Sequence, residues 1–422
     1  MRRKMVFRFG VFLMFFTSMS KVLVPGAVFD PLQHELSLTA VDLASLGAYY
    51  MCAYAFSQLS VGMLTDRLGG VRVLLLGGVS FSIGMVAFPL SSHLWILRVC
   101  RLLAGFGAGI VFLGVAKLVA DLYKERFSYV LGFTLCLSFF GPTTGTSAMV
   151  WLVSWLGWRW ALMVPSLLSA AATLGIIFFS RGTMEKIEEG EPLWRPVLQV
   201  MGNSKMVRIC LSSSIVFGAY YALLTLMGRK CLEDVGGFSV STASLLITML
   251  TIVVAAGNLV AGPLCKVMKG RYGLLMTMFS ALSLGGVVVG WLALTHGWHG
   301  GILVVSYVMI AIPAGFFCVY STMGKEISPP KYVALAVALV NFWAFVTIAL
   351  VGDWAGRVMR GYEAVAQKVG DVLIYPIDAY CGVFIVFLAT AAVGLISAVT
   401  LVASDKGQGT TDNMERPLAA VK

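Results

Sequence analysis

Apolar runs, each about the length of one membrane crossing, alternate with short polar breaks from one end of this chain to the other. An α-helix rises 1.5 Å per residue, so roughly 20 mostly apolar residues cross the ~30 Å hydrocarbon layer of a bilayer. Twelve stretches fit that pattern: 7–28, 42–64, 72–91, 94–119, 128–150, 160–180, 207–228, 240–264, 273–294, 300–323, 331–355 and 380–403. The longest polar break, 181–206, carries Arg181, Glu185, Lys186, Glu188, Glu189, Glu191, Arg195 and Lys205, and it divides the spans six and six. A second break, 356–379, precedes the last span. The expected architecture is an all-α polytopic membrane protein. A six-helix bundle over 1–180 is followed by a cytoplasmic central loop over 181–206. A second six-helix bundle covers 207–403, and a disordered cytoplasmic tail covers 404–422.

Composition agrees. The 422 residues are 59% hydrophobic and only 12% charged, with mean hydropathy +0.89. Soluble domains are about half apolar and a quarter charged, so a core of this size cannot absorb the excess and lipid must be the solvent. A net charge of +11 would suit nucleic acid, but the bases lie in short clusters between apolar runs, with no basic domain or stripe. With the N-terminus inside, the outer segments hold only Arg159, Arg229, Lys230, Arg357, Arg360 and Lys368, and most of the 31 Lys and Arg fall inside. That bias predicts cytoplasmic termini and residence in the cytoplasmic (inner) membrane. The basic start, Met1 to Arg8, has no small-residue cleavage site after it and reads as the first helix rather than a signal peptide.

Several chemistries lack their signatures. The eight cysteines form no C-x-x-C pair and read as small hydrophobes. His34, His93, His296 and His299 fall in outer loops, without the further ligands a metal needs. There is no H-E-x-x-H, P-loop or G-x-S-x-G, which argues against an ATP-driven pump or a membrane protease. A carrier is expected, not an enzyme, with no cofactor and no metal.

The loop after the second span reads Gly62-Met-Leu-Thr-Asp66-Arg67-Leu-Gly69-Gly70-Val-Arg72. A glycine lets helices approach closely, and Asp66 can accept from backbone N–H groups at a neighbouring helix end. Arg67 and Arg72 can pair with nearby carboxylates. This segment resembles the signature loop of the major facilitator superfamily (MFS). That resemblance implies two six-helix bundles working by alternating access, with the loop as a latch that stabilises the outward-open state. The matching segment of the second half, Gly257 to Arg271, keeps glycines and bases but lacks the acid–arginine pair. Arg101-Leu-Leu-Ala-Gly105-Phe-Gly107-Ala-Gly109 is similar to the family's fourth-helix pattern, with Gly105 and Gly109 as a packing face. Gly141-Pro142-Thr-Thr-Gly145 looks like the fifth-helix pattern associated with exporters, but Leu137 and Thr146 replace two of its glycines. Trp158-Arg159-Trp160 fits the family as an interfacial anchor.

A narrower resemblance covers the first 130 residues or so. Lys21-Val-Leu-Val-Pro25-Gly26-Ala-Val-Phe-Asp30, Tyr49-Tyr50, Ala53-Tyr54-Ala-Phe-Ser-Gln58, Gly114-Val-Ala-Lys117 and Glu125-Arg126-Phe127 look like bacterial carriers of the phagosomal amino-acid transporter type. It implies uptake of amino acids or similar nutrients.

Four bases lie within spans: Lys21, Arg98, Arg101 and Lys117. Ionisable groups in a bilayer are costly and are functional candidates by default. Arg98 is expected to snorkel to the interface near Trp95. Arg101, one turn deeper, is expected to face a cavity or substrate. Lys21 can pair with Asp30 or bind a substrate carboxylate. Lys117 and Asp121, at i and i+4, suggest an ion pair at a gate. All acids are expected at span edges or in loops, which leaves Asp30 as the main coupling candidate and Asp121 as a lesser one. Fixed positive charge without a buried acid favours an anionic or zwitterionic solute. Tyr50, Tyr54, Tyr220, Tyr221, Tyr320 and Asn341 are further candidates for contact with it, while Asn258 and Gln58 are candidate interhelical glue. The expected partners are a small solute, the lipid bilayer and protons, and the chain is expected to act as a monomer. The alternatives are an exporter of drugs or metabolites and a transport-inactive membrane sensor.

Overall fold

The computed structural model describes residues 1–24, 28–38, 40–184, 194–268, 271–298, 300–369 and 372–415, apart from the side chains of 29–30, 40–41, 44, 63, 146–147, 225–226, 368–369, 372–373 and 403–415. Helix dominates because a lipid-facing backbone must satisfy its own N–H and C=O groups within the segment. The helices are α1 (Arg2–Leu23), α2 (Phe29–Leu36), α3 (Ala40–Leu68), α4 (Gly70–Leu90), α5 (Leu94–Leu122), α6 (Phe127–Thr143), α7 (Met149–Ser180) and α8 (Trp194–Met201). They continue with α9 (Ser204–Ala222), α10 (Gly228–Asp234), α11 (Val240–Val267), α12 (Tyr272–Thr295), α13 (Gly300–Ala314), α14 (Phe317–Ile327), α15 (Val333–Gly361) and α16 (Ile377–Glu415). Nine helical segments among the described residues are long and apolar enough to cross a membrane.

The remaining expected spans fall on α3, on α6 and on α9, and the last two run into π-turns, Thr144–Ala148 and Leu223–Met227. Pro142 supplies no N–H to the helical ladder just before the first of these, a usual origin of local unwinding. The fifth and sixth expected spans meet inside α7, where Gly157 adopts φ +74° and breaks the helix in two. A side chain at that φ is disfavoured, so glycine sets the break. The second polar break is not wholly irregular. Gln367–Val369 (β1) and Val372–Ile374 (β2) pair antiparallel there, a small departure from the all-α expectation. The last helix continues to Glu415, past the expected end at 403.

The chain divides into two compact units. Unit 1 is Met1–Val200 with Gly324–Phe342, and unit 2 is Met201–Met323 with Trp343–Lys422. The segment Gly324–Phe342 lies in the second half of the sequence, yet it groups with unit 1. Three contacts explain this. A Cβ on Gly62 would collide with Ala338, Asp66 bonds the start of α15, and Lys325 donates to the Lys124 carbonyl at 3.2 Å.

In unit 1, α4 and α5 lie close enough that a Cβ at Gly84 would sit 2.6 Å from the Ala104 backbone nitrogen. Cβ atoms at Gly105 and Gly109 would collide with the Tyr50 carbonyl and the Ser57 hydroxyl of α3. The expected packing face of the fourth span is therefore seated on α3. Gly141 lies against the Phe15 carbonyl and Gly145 against Val22 and Met19, so the start of the π-turn region packs on α1. In unit 2, α12 packs between α13 and α16. There Gly257 of α11 meets Gly315 backbone to backbone, and the Phe217 and Phe317 rings meet at a tilt with centroids 5.0 Å apart.

Candidate functional site

At the Leu68 end of α3, the candidate latch residues come together in unit 1. Asp66 Oδ1 accepts from Lys117 Nζ at 2.9 Å and from the Ala334 N–H at 3.1 Å. Its Oδ2 accepts from the Leu335 N–H at 3.0 Å. Ala334 and Leu335 lie in the first turn of α15, where N–H groups have no helical partner and the helix dipole is positive. Asp66 is thus a charged cap on that helix, with a side chain only 7% exposed. The bonding differs from the expected pairing at two points. Arg72 donates to the Leu68 carbonyl at 3.3 Å rather than to a carboxylate. Lys117 is nearer Asp66 than Asp121, which it meets at 3.7 Å while Arg3 approaches the same acid at 3.4 Å. Gly69 takes φ +80°, which lets the chain reverse between α3 and α4. Arg67 is half-buried in the last turn of α3.

Two cation–tyrosine pairs occupy successive turns of α3. Lys21 Nζ lies 4.2 Å from the Tyr54 ring centroid, and Arg101 Cζ lies 4.3 Å from that of Tyr50. The quadrupole of each ring attracts the cation. The Tyr54 hydroxyl accepts from Asn341 Nδ2 at 3.4 Å, whereas the Tyr50 hydroxyl donates to the Thr17 carbonyl at 2.7 Å. Lys21, Tyr54 and Asn341 form one group, while Arg101 belongs to another with Tyr50. The guanidinium donates from Nε to the Leu46 carbonyl and from Nη1 to the Ser20 carbonyl and hydroxyl, each at 3.1 Å. Arg101 is 3% exposed.

In unit 2 the candidates are neutral. Tyr220 and Tyr320 are fully buried, and their hydroxyls find no partner among the described atoms. Tyr221 leans on Phe217, with centroids 5.9 Å apart. The Oδ1 of Asn258 is also unpaired, so its reading as interhelical glue holds only for Nδ2, which donates to the Val254 carbonyl within its own helix. Buried polar atoms without partners are uncommon and mark places where water or a ligand completes the bonding.

Two placements depart from expectation. Arg98 does not simply reach for the interface: it pairs with Asp42 at 3.1 Å and donates to Ser45 Oγ at 3.3 Å. The loop expected after the seventh span is partly helical where it carries an acid. Asp234 has a side chain 3% exposed and accepts from Lys230 at 2.6 Å, the Tyr380 hydroxyl at 2.7 Å and the Tyr375 N–H at 3.0 Å. Helix continues beyond the Leu223–Met227 π-turn as far as Asp234, which carries this residue into the protein. The Lys230–Asp234 spacing of i, i+4 was the signal that could have found the pair. Outside the spans, Glu35 accepts from Trp158 Nε1 and, at 3.0 Å, from Arg159 Nε. The Trp158 hydrogen bond and then Arg159 hold the Glu35 carboxyl below its usual range. Asp30 falls in α2, but its side chain, and so any pairing with Lys21, lies outside the described residues. Among the described residues no group of three or more His, Cys, Asp or Glu is arranged to hold a metal.

The chain matches the model of the Major Facilitator Superfamily over residues 10–352. It is 24% identical over 408 residues to a chloramphenicol resistance protein of Pseudomonas aeruginosa, a match covering 92% of this chain and 88% of that one. It is 27% identical over 305 residues to human monocarboxylate transporter 11, covering 69% and 63%. An uncharacterised transporter of Schizosaccharomyces pombe is 29% identical over 192 residues, but the match spans only 45% of this chain and 35% of the yeast protein.

Proposed function

The chain belongs to the Major Facilitator Superfamily, and from that premise we propose that it is a proton-coupled secondary carrier importing a small anionic or zwitterionic organic solute. An amino acid or similar nutrient fits best. In this reading twelve spans form two six-helix bundles in the cytoplasmic membrane, both termini are cytoplasmic, and the carrier works as a monomer by alternating access. The observation that carries the solute class is Lys21. Its ammonium, in the last turn of α1, sits over the Tyr54 ring, beside the Asn341–Tyr54 bond. A cation, an aromatic face and a carboxamide together suit a solute that carries a carboxylate. Release of Asp66 from α15 and Lys117 would accompany opening towards the cytoplasm.

The test is uptake of a labelled panel (amino acids, short peptides, nucleosides and carboxylates) in expressing cells, with and without an uncoupler. The expected result is accumulation of one carboxylate-bearing class that collapses with uncoupler, is lost in Lys21→Met and is partly kept in Lys21→Arg. Accumulation of cations only would overturn the solute class.

An exporter is the second reading. It is favoured by the match to a chloramphenicol resistance protein over most of this chain. Raised resistance to chloramphenicol on expression, without accumulation of any panel member, would select it. A ligand that binds but is never moved would select a sensor.

A further inference from the structure

Arg101 presents a charge problem that its neighbours do not solve. All its hydrogen-bond acceptors are neutral: the Leu46 carbonyl, the Ser20 carbonyl and the Ser20 hydroxyl. Among the described residues no carboxylate pairs with it, and Nη2 has no partner at all. The Tyr50 ring offers only partial compensation. A guanidinium does not lose its proton in proteins, so it cannot escape the cost of burial by neutralising. Lys117, by contrast, has Asp66 and Asp121 beside it.

The unsolved charge borders an empty space. A small cavity in unit 1, with room for about one water-sized body, is lined by Arg101 and Ser20, and elsewhere by residues such as Met85, Phe88, Ala104 and Leu162. Ser20 can contribute a second donor. Its hydroxyl now donates to Met85 Sδ at 3.2 Å, and a thioether is a weak acceptor from which the proton is easily redirected. Among the described residues that line the cavity there is no carboxylate, so an ammonium group placed there would find no counter-charge among them. An amino-acid zwitterion is thus a poor fit, which sets this space apart from the Lys21 group.

We propose that the cavity beside Arg101 is a binding site for a compact monovalent anion, a halide or a group of the size of formate, held by Nη2 of Arg101 and the hydroxyl of Ser20. The anion neutralises the guanidinium and ties α1, α3 and α5 together. It is a bound partner of unit 1, distinct from the transported solute, and the site does not depend on which solute that is.

The experiment measures the thermal stability of the purified full-length protein at constant ionic strength. Sodium gluconate, too bulky for the cavity, is replaced stepwise by chloride, bromide, nitrate or formate. The expected result is a saturable rise in Tm of about 2–4 °C with the compact anions. A halide-only response identifies an ion from solution, and a formate-only response a carboxylate end group; either supports the site. The rise should vanish in Arg101→Gln. Should that variant not fold, Leu162→Phe, which fills the cavity and keeps the guanidinium, should abolish the response, and Ser20→Ala should shift it several-fold to higher anion concentration. Equal Tm in gluconate and in every compact anion would mean that water fills the cavity, and it would overturn the proposal. So would an Arg101-dependent rise with glycine, because the cavity would then accept a zwitterion.

Discussion

The buried polar groups of the two units are satisfied in different ways. Unit 1 sets ion pairs beside its buried hydroxyl and amide bonds (Ser82 with Thr173, Gln58 with the Gly109 carbonyl): Asp66 with Lys117, the half-buried Asp121 with Lys117 and Arg3, and the half-buried Arg98 with Asp42, while Lys21 and Arg101 lie over tyrosine rings. Deep in unit 2 the groups are hydroxyls and amides. Ser212 meets Ser280 at 2.8 Å, Ser306 donates to the Gly286 carbonyl, and Tyr220, Tyr320 and Asn258 keep unpaired atoms. Its one buried carboxylate partnership among the described residues, Asp234 with Lys230, stands at the end of α10. An ion pair in low dielectric is strong but brittle, since removing one partner strands the other. Hydroxyls cost less to leave unpaired and exchange partners freely. On the proposed reading unit 1 carries a switch that must hold and release, while the polar groups of unit 2 can change partners at less cost.

The sharpest way to break that comparison is to give unit 2 the acid that unit 1 has. Ala261 occupies the position in the second-half segment that matches Asp66, and it is fully buried. Ala261→Asp should therefore destabilise the protein by about 3 kcal/mol through an uncompensated buried charge. Detergent-solubilised protein should show a Tm lower by several degrees. An unchanged Tm would mean that unit 2 already holds a place for a carboxylate.

Next is packing. In Gly105→Ala the new methyl would meet the Tyr50 backbone carbonyl, which cannot swing aside as a side chain does. A loss of about 1–3 kcal/mol is expected. Gly356→Ala, with nothing within 4 Å of the added carbon, is the control and should be neutral. The third effect is functional. Asp66→Asn keeps the shape but loses charge-assisted bonds to Lys117 and to two N–H groups. Losing about 1.4 kcal/mol from one conformation alters the conformational balance about tenfold. Transport per molecule at the membrane should fall by that order while membrane abundance stays constant.

How much of this was legible in the sequence depended on the range of each interaction. The spans were, because bilayer thickness imposes a length on every apolar run. The Asp66 cap was also legible, since its motif is contiguous and the need of a helix N-terminus for an acceptor is general. The Lys117 partnership was only half visible. Spacing i, i+4 pointed to Asp121, while the nearer acid belongs to a different helix and only tertiary structure brings it in. Arg98 went the same way, its partner Asp42 lying 56 residues back. Asp234 was hidden by a local irregularity. A π-turn shifts helical phase, so a residue expected in an outer loop is turned inward and meets Tyr380 from the last helix.

The smallest expected effect concerns a charge in unit 1 that is not buried. Glu35 is about half exposed and links α2 to Trp158 and Arg159 near the break in α7. Its carboxyl is held below the unfolded value of 4.5, first by the Trp158 N–H and then by Arg159. The folded protein therefore binds this proton more weakly than the unfolded chain does. The stabilisation is complete above the unfolded pKa and drains away as pH falls through the folded one. Glu35→Gln should lower Tm slightly at pH 7, and the gap from wild type should close on acidification below the ordinary carboxylate range. Solvent and salt screen an exposed pair, so raising ionic strength at pH 7 should narrow the same gap, whereas Asp234→Asn in unit 2 should keep its penalty in high salt. If both gaps respond to salt alike, burial is not what separates the charges of the two units, and the contrast between them loses its electrostatic basis.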